Sequence, residues 1–415
     1  MFRHRVKNGI NAQHSRPADC FQFRRVWHRP ERLDMVVASS PAKGRDRLTT
    51  ALGATGTPAD DGFYFPADTA RQAQTWLPWP RETTLQKVVA DLAARILRYQ
   101  PVSLVVNPGE EAAARAACGP VSIVPLRLGS PRLRDVGPCF LVDGKGGSAA
   151  ADWGFGGWGG RRPAGSDATF AHEMLGHIEV RRFRTPLTLE SSAFVADGGD
   201  TVIALAASVF DPARNPNLTR LEAFSAFQKW LGVSRVIWVE DALPGDELCT
   251  DLRALVAFLA PGVAAVSTAP ADHPHARALG AVRGALARAK DASGRLLGLV
   301  DLCVPPAGDG DISHVRSYTN YLAVNGALFV PVFDAPTDEN ALDLLGRAFQ
   351  GRVIEAVPAN ELAARGVSLT SLCLPQPARL LERDRATTLP RSAWTQPVRD
   401  VEALLQAYID MAEKK

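Results

Sequence analysis

Long apolar runs are missing from this sequence of 415 residues. No stretch reaches the roughly 18 consecutive apolar residues that indicate a transmembrane helix. The basic N-terminal segment has no apolar core, so it is not a secretory signal peptide. The most apolar region, residues 252–271, contains Arg253, Pro261 and Pro270 and is predicted to form buried helix and strand. No membrane partner is therefore expected.

Cysteine is scarce. The six cysteines are scattered, and no two have C-x-x-C spacing. Without a signal peptide, this pattern argues against a disulfide scaffold and predicts free thiols in a reducing cytoplasm. Most of them are expected to be small buried residues.

Complete cofactor and metal motifs are also missing. Residues 154–159 (GFGGWG) satisfy the dinucleotide-binding pattern G-x-G-x-x-G, which must open a helix. The GRRPAG that follows is a poor helix start. A tight aromatic turn is therefore predicted instead of a dinucleotide site. His172 and His177 are five residues apart, about 140° round a helix axis, which predicts a surface helix and not a zinc site. The sequence also lacks a P-loop and a basic–aromatic RNA motif. We therefore expect no cofactor, no metal and no nucleic-acid partner.

Positive charge is concentrated at the N-terminus. The formal net charge is +3, yet residues 1–48 hold 11 Lys/Arg and four Asp/Glu, which gives this segment +7 and the remainder −4. A basic leader at residues 1–56 is predicted, either disordered or a misassigned start, since Met35 offers another initiator. Such a segment can also be interpreted as a nucleic-acid-binding arm or as an organelle-targeting sequence.

Short apolar segments alternate with helical patterns along the body of the chain. Strand–helix–strand units are predicted at residues 102–106, 110–118 and 121–125, at 201–208, 221–231 and 236–239, and at 327–332, 339–349 and 353–357, with a further helix at 85–99. This alternation is typical of the α/β or α+β class. Several such units favour a repeat architecture over one doubly wound sheet.

Eight segments carry a resemblance to a known family. They are DGFYFPA (61–67), TWLPWP (75–80), RDVGP (134–138), DWGFGGWGG (152–160), LE with DG (189–190 and 197–198), RNPNLT (214–219), GDE (245–247) and SYTN (317–320). In this order they resemble motifs of the agmatine deiminase family, within the guanidine-group-modifying superfamily. The resemblance implies a five-bladed α/β propeller with pseudo-fivefold repeats around a polar funnel, at residues 57–380. Residues 381–415 are then a C-terminal tail with a helix.

The resemblance also implies a chemistry. In the family a cysteine thiolate attacks the guanidinium carbon, a histidine is general acid and base, and carboxylates bind the cation. Here Asp251 stands at the histidine position and Ser371 at the cysteine position. Cys373 lies two residues beyond Ser371, so a strand shift of two would return it to the same face as a reserve nucleophile. These three residues are the catalytic candidates.

Five further residues are candidates for ligand binding. Asp135 and Glu190 match acidic positions of the family, and the resemblance implies a substrate contact at Trp158. Arg253 stands at the position of the family's second guanidinium-binding aspartate. Arg132 stands at a position where the family has a tryptophan. The added positive charge favours a ligand that carries a carboxylate over agmatine, because like charges repel.

Two functions stay open at this point. One is a diverged hydrolase of amidine or guanidine C–N bonds, without ordinary agmatine deimination, acting on a small guanidine, amidine or amino-acid-like molecule. The other is a catalytically inactive family member with a ligand-binding or scaffold role. Homo-oligomerisation is compatible with both. The position of the Cys373 sulfur discriminates between them: the polar funnel favours catalysis and the apolar core favours binding.

Overall fold

The computed structural model describes residues 56–307 and 316–379. The predicted leader, apart from Gly56, and the predicted C-terminal tail lie outside the described residues, so these predictions remain untested. All described residues fall in one compact unit, Asp46–Lys415. Within the described ranges no helix has the length and apolar character needed to cross a bilayer.

Sixteen strands are found in the described part of the chain. They are β1 (Gln72–Pro78), β2 (Val102–Val106), β3 (Ser122–Pro125), β4 (Cys139–Val142), β5 (Ser148–Asp152), β6 (Arg181–Arg184), β7 (Phe194–Ala196), β8 (Thr201–Leu205), β9 (Arg235–Val239), β10 (Val256–Ala260), β11 (Val263–Thr268), β12 (Gly298–Cys303), β13 (Leu322–Val324), β14 (Ala327–Val332), β15 (Val353–Pro358) and β16 (Leu374–Pro377).

The helices of the described residues differ widely in length. They are α1 (Thr83–Ile96), α2 (Glu111–Cys118), α3 (Leu133–Val136), α4 (Gly157–Gly160), α5 (Asp167–His177), α6 (Ala206–Val209), α7 (Arg220–Leu231), α8 (Ala276–Leu286), α9 (Asp338–Ala348), α10 (Asn360–Ala363) and α11 (Leu369–Leu372). Short 3-10 turns lie at Ala59–Asp61, Ser191–Ala193, Leu252–Ala254 and Tyr318–Asn320.

The strands form five small mixed sheets, none of which closes on itself. Their orders are β16-β1-β2-β3, β4-β5-β6, β7-β8-β9, β10-β11-β12 and β13-β14-β15. Each sheet contains one antiparallel pair and one parallel pair joined through helix. The four-stranded sheet has a second parallel pair, β2 with β3. The same unit therefore occurs five times, and the C-terminal β16 completes the sheet that β1 begins. The arrangement of these sheets as propeller blades stays a prediction.

A short helical turn precedes the first antiparallel strand of every sheet. These turns are α3, Ser191–Ala193, Leu252–Ala254, Tyr318–Asn320 and α11. The first four contact one another in succession, and α11 contacts α3. The Thr370 hydroxyl donates to Asn320 Oδ1 at 2.8 Å and links α11 to the fourth turn. The five turns therefore form a closed ring of contacts.

Local sequence explains why α7 begins and ends where it does. Thr219 and Glu222 form a capping box at its start, which satisfies backbone N–H groups that have no partner within the helix. Gly232 ends the helix at a φ of 63°, a conformation that glycine adopts without steric cost. A Cβ at this position would lie 2.5 Å from the Phe63 carbonyl oxygen.

Most of the predicted elements are confirmed within one or two residues, and two predicted ends lie three residues too far along the chain. The helix predicted at residues 85–99 is α1, which ends at Ile96. The strand predicted at residues 201–208 ends at Leu205, and α6 begins at Ala206. The apolar run continues through Val209 because β8 and α6 are both buried, so hydrophobicity alone does not separate them. The apolar region 252–271 forms a short turn and the hairpin of β10 and β11.

Candidate active site

The ring of turns brings distant charged residues together. The residues that immediately precede the five turns are Arg132, Glu190, Asp251, Ser317 and Ser368. Arg132 and Asp251 are 119 positions apart in sequence, yet their side chains are hydrogen-bonded. Because three of the five positions are charged and buried, this cluster is the candidate site.

Arg132 is held between two carboxylates. Its Nε donates to Asp135 Oδ2 at 2.7 Å and its Nη2 donates to Asp251 Oδ1 at 2.6 Å. Its Nη1 donates to the Gly366 carbonyl oxygen at 2.6 Å. Burial alone lowers the pKa of this guanidinium, but Asp251 and Asp135 outweigh burial and the net pKa is raised. Arg132 therefore stays charged, with every guanidinium nitrogen bonded.

A left-handed turn places Trp158 against the same aspartate. Trp158 Nε1 donates to Asp135 Oδ2 at 3.0 Å, and the Trp158 φ is 55°, unusual for a bulky residue. Gly157 precedes it at a φ of 68°, where a Cβ would overlap the Arg162 carbonyl oxygen. The predicted aromatic turn is confirmed, and its backbone conformation orients the indole.

Two buried carboxyl groups of the site have too few hydrogen-bond or charge partners to offset the cost of burying them. Asp135 Oδ1 is buried and has no hydrogen-bond partner among the described residues. Glu190 is fully buried, and its Oε2 accepts from Arg214 Nε at 2.9 Å. Burial raises the pKa of Glu190 to about 7, although Arg214 acts in the opposite direction, and Asp135 raises this pKa further. An acid that titrates near neutrality in a buried cluster is typical of functional sites.

The raised pKa of Glu190 predicts a pH effect on stability. Between the ordinary value of 4.5 and about 7 the folded state binds more protons at Glu190 than the unfolded state does. The free energy of unfolding should therefore fall as pH rises through this range. In Glu190→Gln we expect this slope to be less negative by up to about 1.4 kcal/mol per pH unit.

Urea unfolding at several pH values within this range measures the slope. Glu339→Gln, a change at an exposed glutamate, is the matched control and should leave the slope unchanged. Equal slopes for Glu190→Gln and the parent would show that Glu190 ionises normally.

Comparisons with known proteins agree with this architecture. Residues 64–377 match the model of the family described as Porphyromonas-type peptidyl-arginine deiminase. This chain belongs to the agmatine deiminase family. It is 32% identical over 342 residues to a Streptomyces avermitilis protein provisionally named agmatine deiminase, covering 77% of this chain and 99% of the relative. It is 30% identical over 361 residues to the agmatine deiminase of Pseudomonas aeruginosa, covering 78% and 98%.

A solved structure supports the same membership. The agmatine deiminase of Enterococcus faecalis, described as catalysing its reaction, superposes with a TM-score of 0.74 at 25% identity. The match covers 79% of this chain and 99% of that one. The resemblance found in the sequence motifs is thereby confirmed at the level of family.

Ser371, the nucleophile position predicted from the sequence, is bound within its own turn. Its hydroxyl donates to the Ser368 carbonyl oxygen at 3.1 Å and accepts from the Ser368 backbone N–H at 2.9 Å. The side chain is fully buried. No histidine occurs in the residues of the five turns. A serine hydroxyl needs a base to become nucleophilic, and Ser371 here completes the capping box of α11, whose N-cap residue is Ser368.

Cys373, the reserve nucleophile, lies in the apolar core. It is fully buried in a cluster with Leu77, Leu369 and Leu372. Burial raises the pKa of the Cys373 thiol to about 12, although Arg134 acts in the opposite direction. A thiol in this state is almost entirely protonated at neutral pH. By the criterion set from the sequence, this position favours binding over catalysis.

The structure gives Arg253 a partner that the sequence did not indicate. Asp68 accepts from Arg253 Nη1, and Asp68 Oδ1 also accepts from Arg134 Nη1 at 3.1 Å. Arg253 Nη2 also donates to the Phe194 carbonyl oxygen at 3.2 Å. Arg253 is therefore paired inside the protein, and its predicted contact with a ligand stays a prediction.

Two contributors were missed at the level of sequence. Arg214 binds Glu190, Asp211 and the Leu248 carbonyl oxygen, and it begins the RNPNLT segment, which offered a signal. Asp68 directly follows the DGFYFPA segment, but its partners lie 66 and 185 positions away. No local pattern indicates pairs at that separation.

In the described residues no group of three or more His, Cys, Asp or Glu side chains is suited to hold a metal ion.

Proposed function

We propose that this chain is a member of the agmatine deiminase family that does not deiminate agmatine and that has a ligand-binding or scaffold role. The observation that carries the proposal is the Arg132 guanidinium bound between Asp135 and Asp251. By resemblance, Asp135 is the residue with which the family binds the guanidinium of its substrate. An arginine of the chain itself therefore takes the place of that cation.

Electrostatics support this proposal. A second guanidinium placed at Asp135 would lie within a few ångströms of Arg132, and like charges at about 4 Å repel by on the order of 4 kcal/mol near a protein surface. Arg132 is only 4% exposed and bonded at each nitrogen. Displacing it would break three hydrogen bonds that involve a charged group, each contributing about 1.5–3 kcal/mol.

Two observations favour a second function, the hydrolysis of an amidine or guanidine C–N bond in another small molecule. Asp135 Oδ1 has no described partner, and Glu190 nearby has a pKa near 7. A carboxyl group with this pKa can act as general acid and base at neutral pH. Such a reaction would use water directly, since neither Ser371 nor Cys373 is available as a nucleophile.

The remaining parts of the proposal concern architecture and setting. The closed ring of five turns supports a five-bladed propeller in which each sheet is one blade. For the second function, the proposed ligand is a small guanidine, amidine or amino-acid-like molecule, as the sequence predicts. A cytoplasmic location and homo-oligomerisation stay predictions.

Removing the Arg132 side chain tests the proposal. We expect agmatine not to bind the parent measurably in calorimetry, and to bind Arg132→Ala because the space between Asp135 and Asp251 is then vacant. Agmatine at a free concentration of 100 times its dissociation constant would raise the free energy of unfolding of the variant by about 2.7 kcal/mol.

The control is Arg182→Ala, which removes another arginine whose Nε binds an aspartate, Asp152, at 2.7 Å. It should not gain agmatine affinity. Agmatine binding by the parent as tight as by Arg132→Ala would contradict the proposal. Release of ammonia from a guanidino compound by the parent, lost in Glu190→Gln, would favour the hydrolase.

A further inference from the structure

One of the eight sequence motifs, GDE at residues 245–247, has no part in the site as described above. The carboxylate of its aspartate, Asp246, accepts from three successive backbone N–H groups. Oδ1 accepts from the N–H of Cys249 at 2.9 Å. Oδ2 accepts from the N–H of Thr250 at 3.0 Å and from that of Asp251 at 2.9 Å. One side chain therefore fixes the backbone that leads into the third turn of the ring.

The backbone fixed in this way is strained. Cys249 has a φ of 53°, a left-handed conformation that residues with a Cβ adopt at a steric cost. Such a conformation persists only where the surrounding structure holds it. Bonds from backbone N–H groups to a charged carboxylate are stronger than bonds to a neutral acceptor, so Asp246 supplies this hold. We expect the loop to relax when the carboxylate is removed.

This loop ends at Asp251, whose carboxylate binds Arg132. Asp251 Oδ1 accepts from Arg132 Nη2 at 2.6 Å, and a shift of Asp251 by about 1 Å would take the two atoms beyond hydrogen-bond distance. The other partner, Asp135, is three positions from Arg132, so the same short turn sets their separation. Asp251 is 119 positions away in sequence, and its place beside Arg132 depends on the loop.

A second contact holds the start of the loop independently. Arg214 Nη2 donates to the Leu248 carbonyl oxygen at 2.7 Å, and Arg214 Nε binds Glu190. Leu248 directly precedes the three residues whose N–H groups bind Asp246. Removing the Asp246 carboxylate should therefore release residues 249–251 while the rest of the loop stays in place.

We propose that Asp246 is a positioning residue: it holds Asp251 against Arg132 and thereby keeps the Arg132 guanidinium between its two carboxylates. This assignment goes beyond the proposed function, because it names the residue on which the pair of Arg132 and Asp251 depends. It rests on the geometry of that pair and not on the identity of any ligand.

Modification of the full chain with phenylglyoxal, a reagent for arginine side chains, tests this role. A buried arginine reacts only when the structure around it opens locally. In Asp246→Ala we expect Arg132 to react at least about tenfold faster than in the parent, because a hydrogen bond between charged groups no longer opposes the opening. Mass spectrometry of peptides measures the rate at each arginine. Arg295, which is buried and paired with Asp291, should keep its parental rate.

Two comparisons separate positioning from a general loss of stability. Asp143→Ala is the matched control, since Asp143 also accepts from two backbone N–H groups of its own loop. It should leave the rate at Arg132 unchanged. Equal acceleration at Arg132 and Arg295 in Asp246→Ala would overturn the proposal, because global unfolding exposes both arginines alike.

A combined variant shows whether Asp246 acts through Asp251. Asp251→Ala alone should accelerate the reaction at Arg132, and adding Asp246→Ala should accelerate it no further, because both changes remove the same contact. Accelerations that multiply would overturn the proposal. If Asp246→Ala fails to fold, Asp246→Asn decides: it keeps an oxygen acceptor but loses the charge, and a rate at Arg132 equal to the parent's overturns the role. Agmatine takes no part in these measurements, so its turnover by the parent would contradict only the proposed function.

Discussion

Agmatine incubated with the full-length protein is expected to yield ammonia and N-carbamoylputrescine at least about 10⁴-fold more slowly than with an active agmatine deiminase. The family's reaction needs a thiolate at the guanidinium carbon and a group that transfers protons near neutrality. Ser371 is bound to Ser368 within its turn, and Cys373 is a protonated thiol in the core.

The measurement is ammonia release, with the Enterococcus faecalis enzyme assayed in parallel as the positive control. Ser371→Cys should remain inactive, because Arg132 still lies between Asp135 and Asp251 and no histidine occurs in the five turns. A rate near that of ordinary enzymes, about 1 s⁻¹ or more, from the parent would contradict the proposal. Activity gained by Ser371→Cys alone would show that Arg132 does not block the site.

The second large effect concerns stability. Arg132→Met is expected to lower the free energy of unfolding by about 3–5 kcal/mol, because it leaves Asp135 and Asp251 buried without their shared cation. The Arg132 side chain is 5% exposed, and its two partners are 0% and 3% exposed. Removing one member of a buried pair strands the charge of the other, which costs more than the pair itself contributes.

Urea unfolding at neutral pH measures this effect. Arg182→Met is the matched control, since its pair with Asp152 has the same 2.7 Å separation but an arginine that is 23% exposed. Its loss should be smaller than that of Arg132→Met, because Arg182 is more exposed and water screens its pair more strongly. The loss in Arg132→Met should shrink in acid, where protonation removes the stranded charges. Equal losses in the two variants would show that Arg132 is not tightly held.

The sequence alone determined the local elements and the family. Periodicity placed α1, α7 and the buried strand β2 because each buries one stripe or one run of apolar side chains. Eight motifs in order indicated the family, which the comparisons confirm, whereas the placement of Asp251 and Ser371 at the two reactive positions stays a prediction. The elements and the family could be inferred because they depend on residues close together along the chain.

Tertiary structure alone decided how the charges pair. Arg132 and Asp251 are 119 positions apart, and Asp68 and Arg253 are 185 apart. From sequence, Arg132 and Arg253 indicated added positive charge in a pocket with Asp135 and Glu190. The fold instead pairs Arg132 with Asp135 and Asp251. The sequence also did not decide whether Cys373 lies in the polar funnel or in the apolar core. The turn of α11 directs Cys373 into the core because that face of the turn also carries Leu369 and Leu372, and burying apolar atoms together is the dominant favourable contribution to folding.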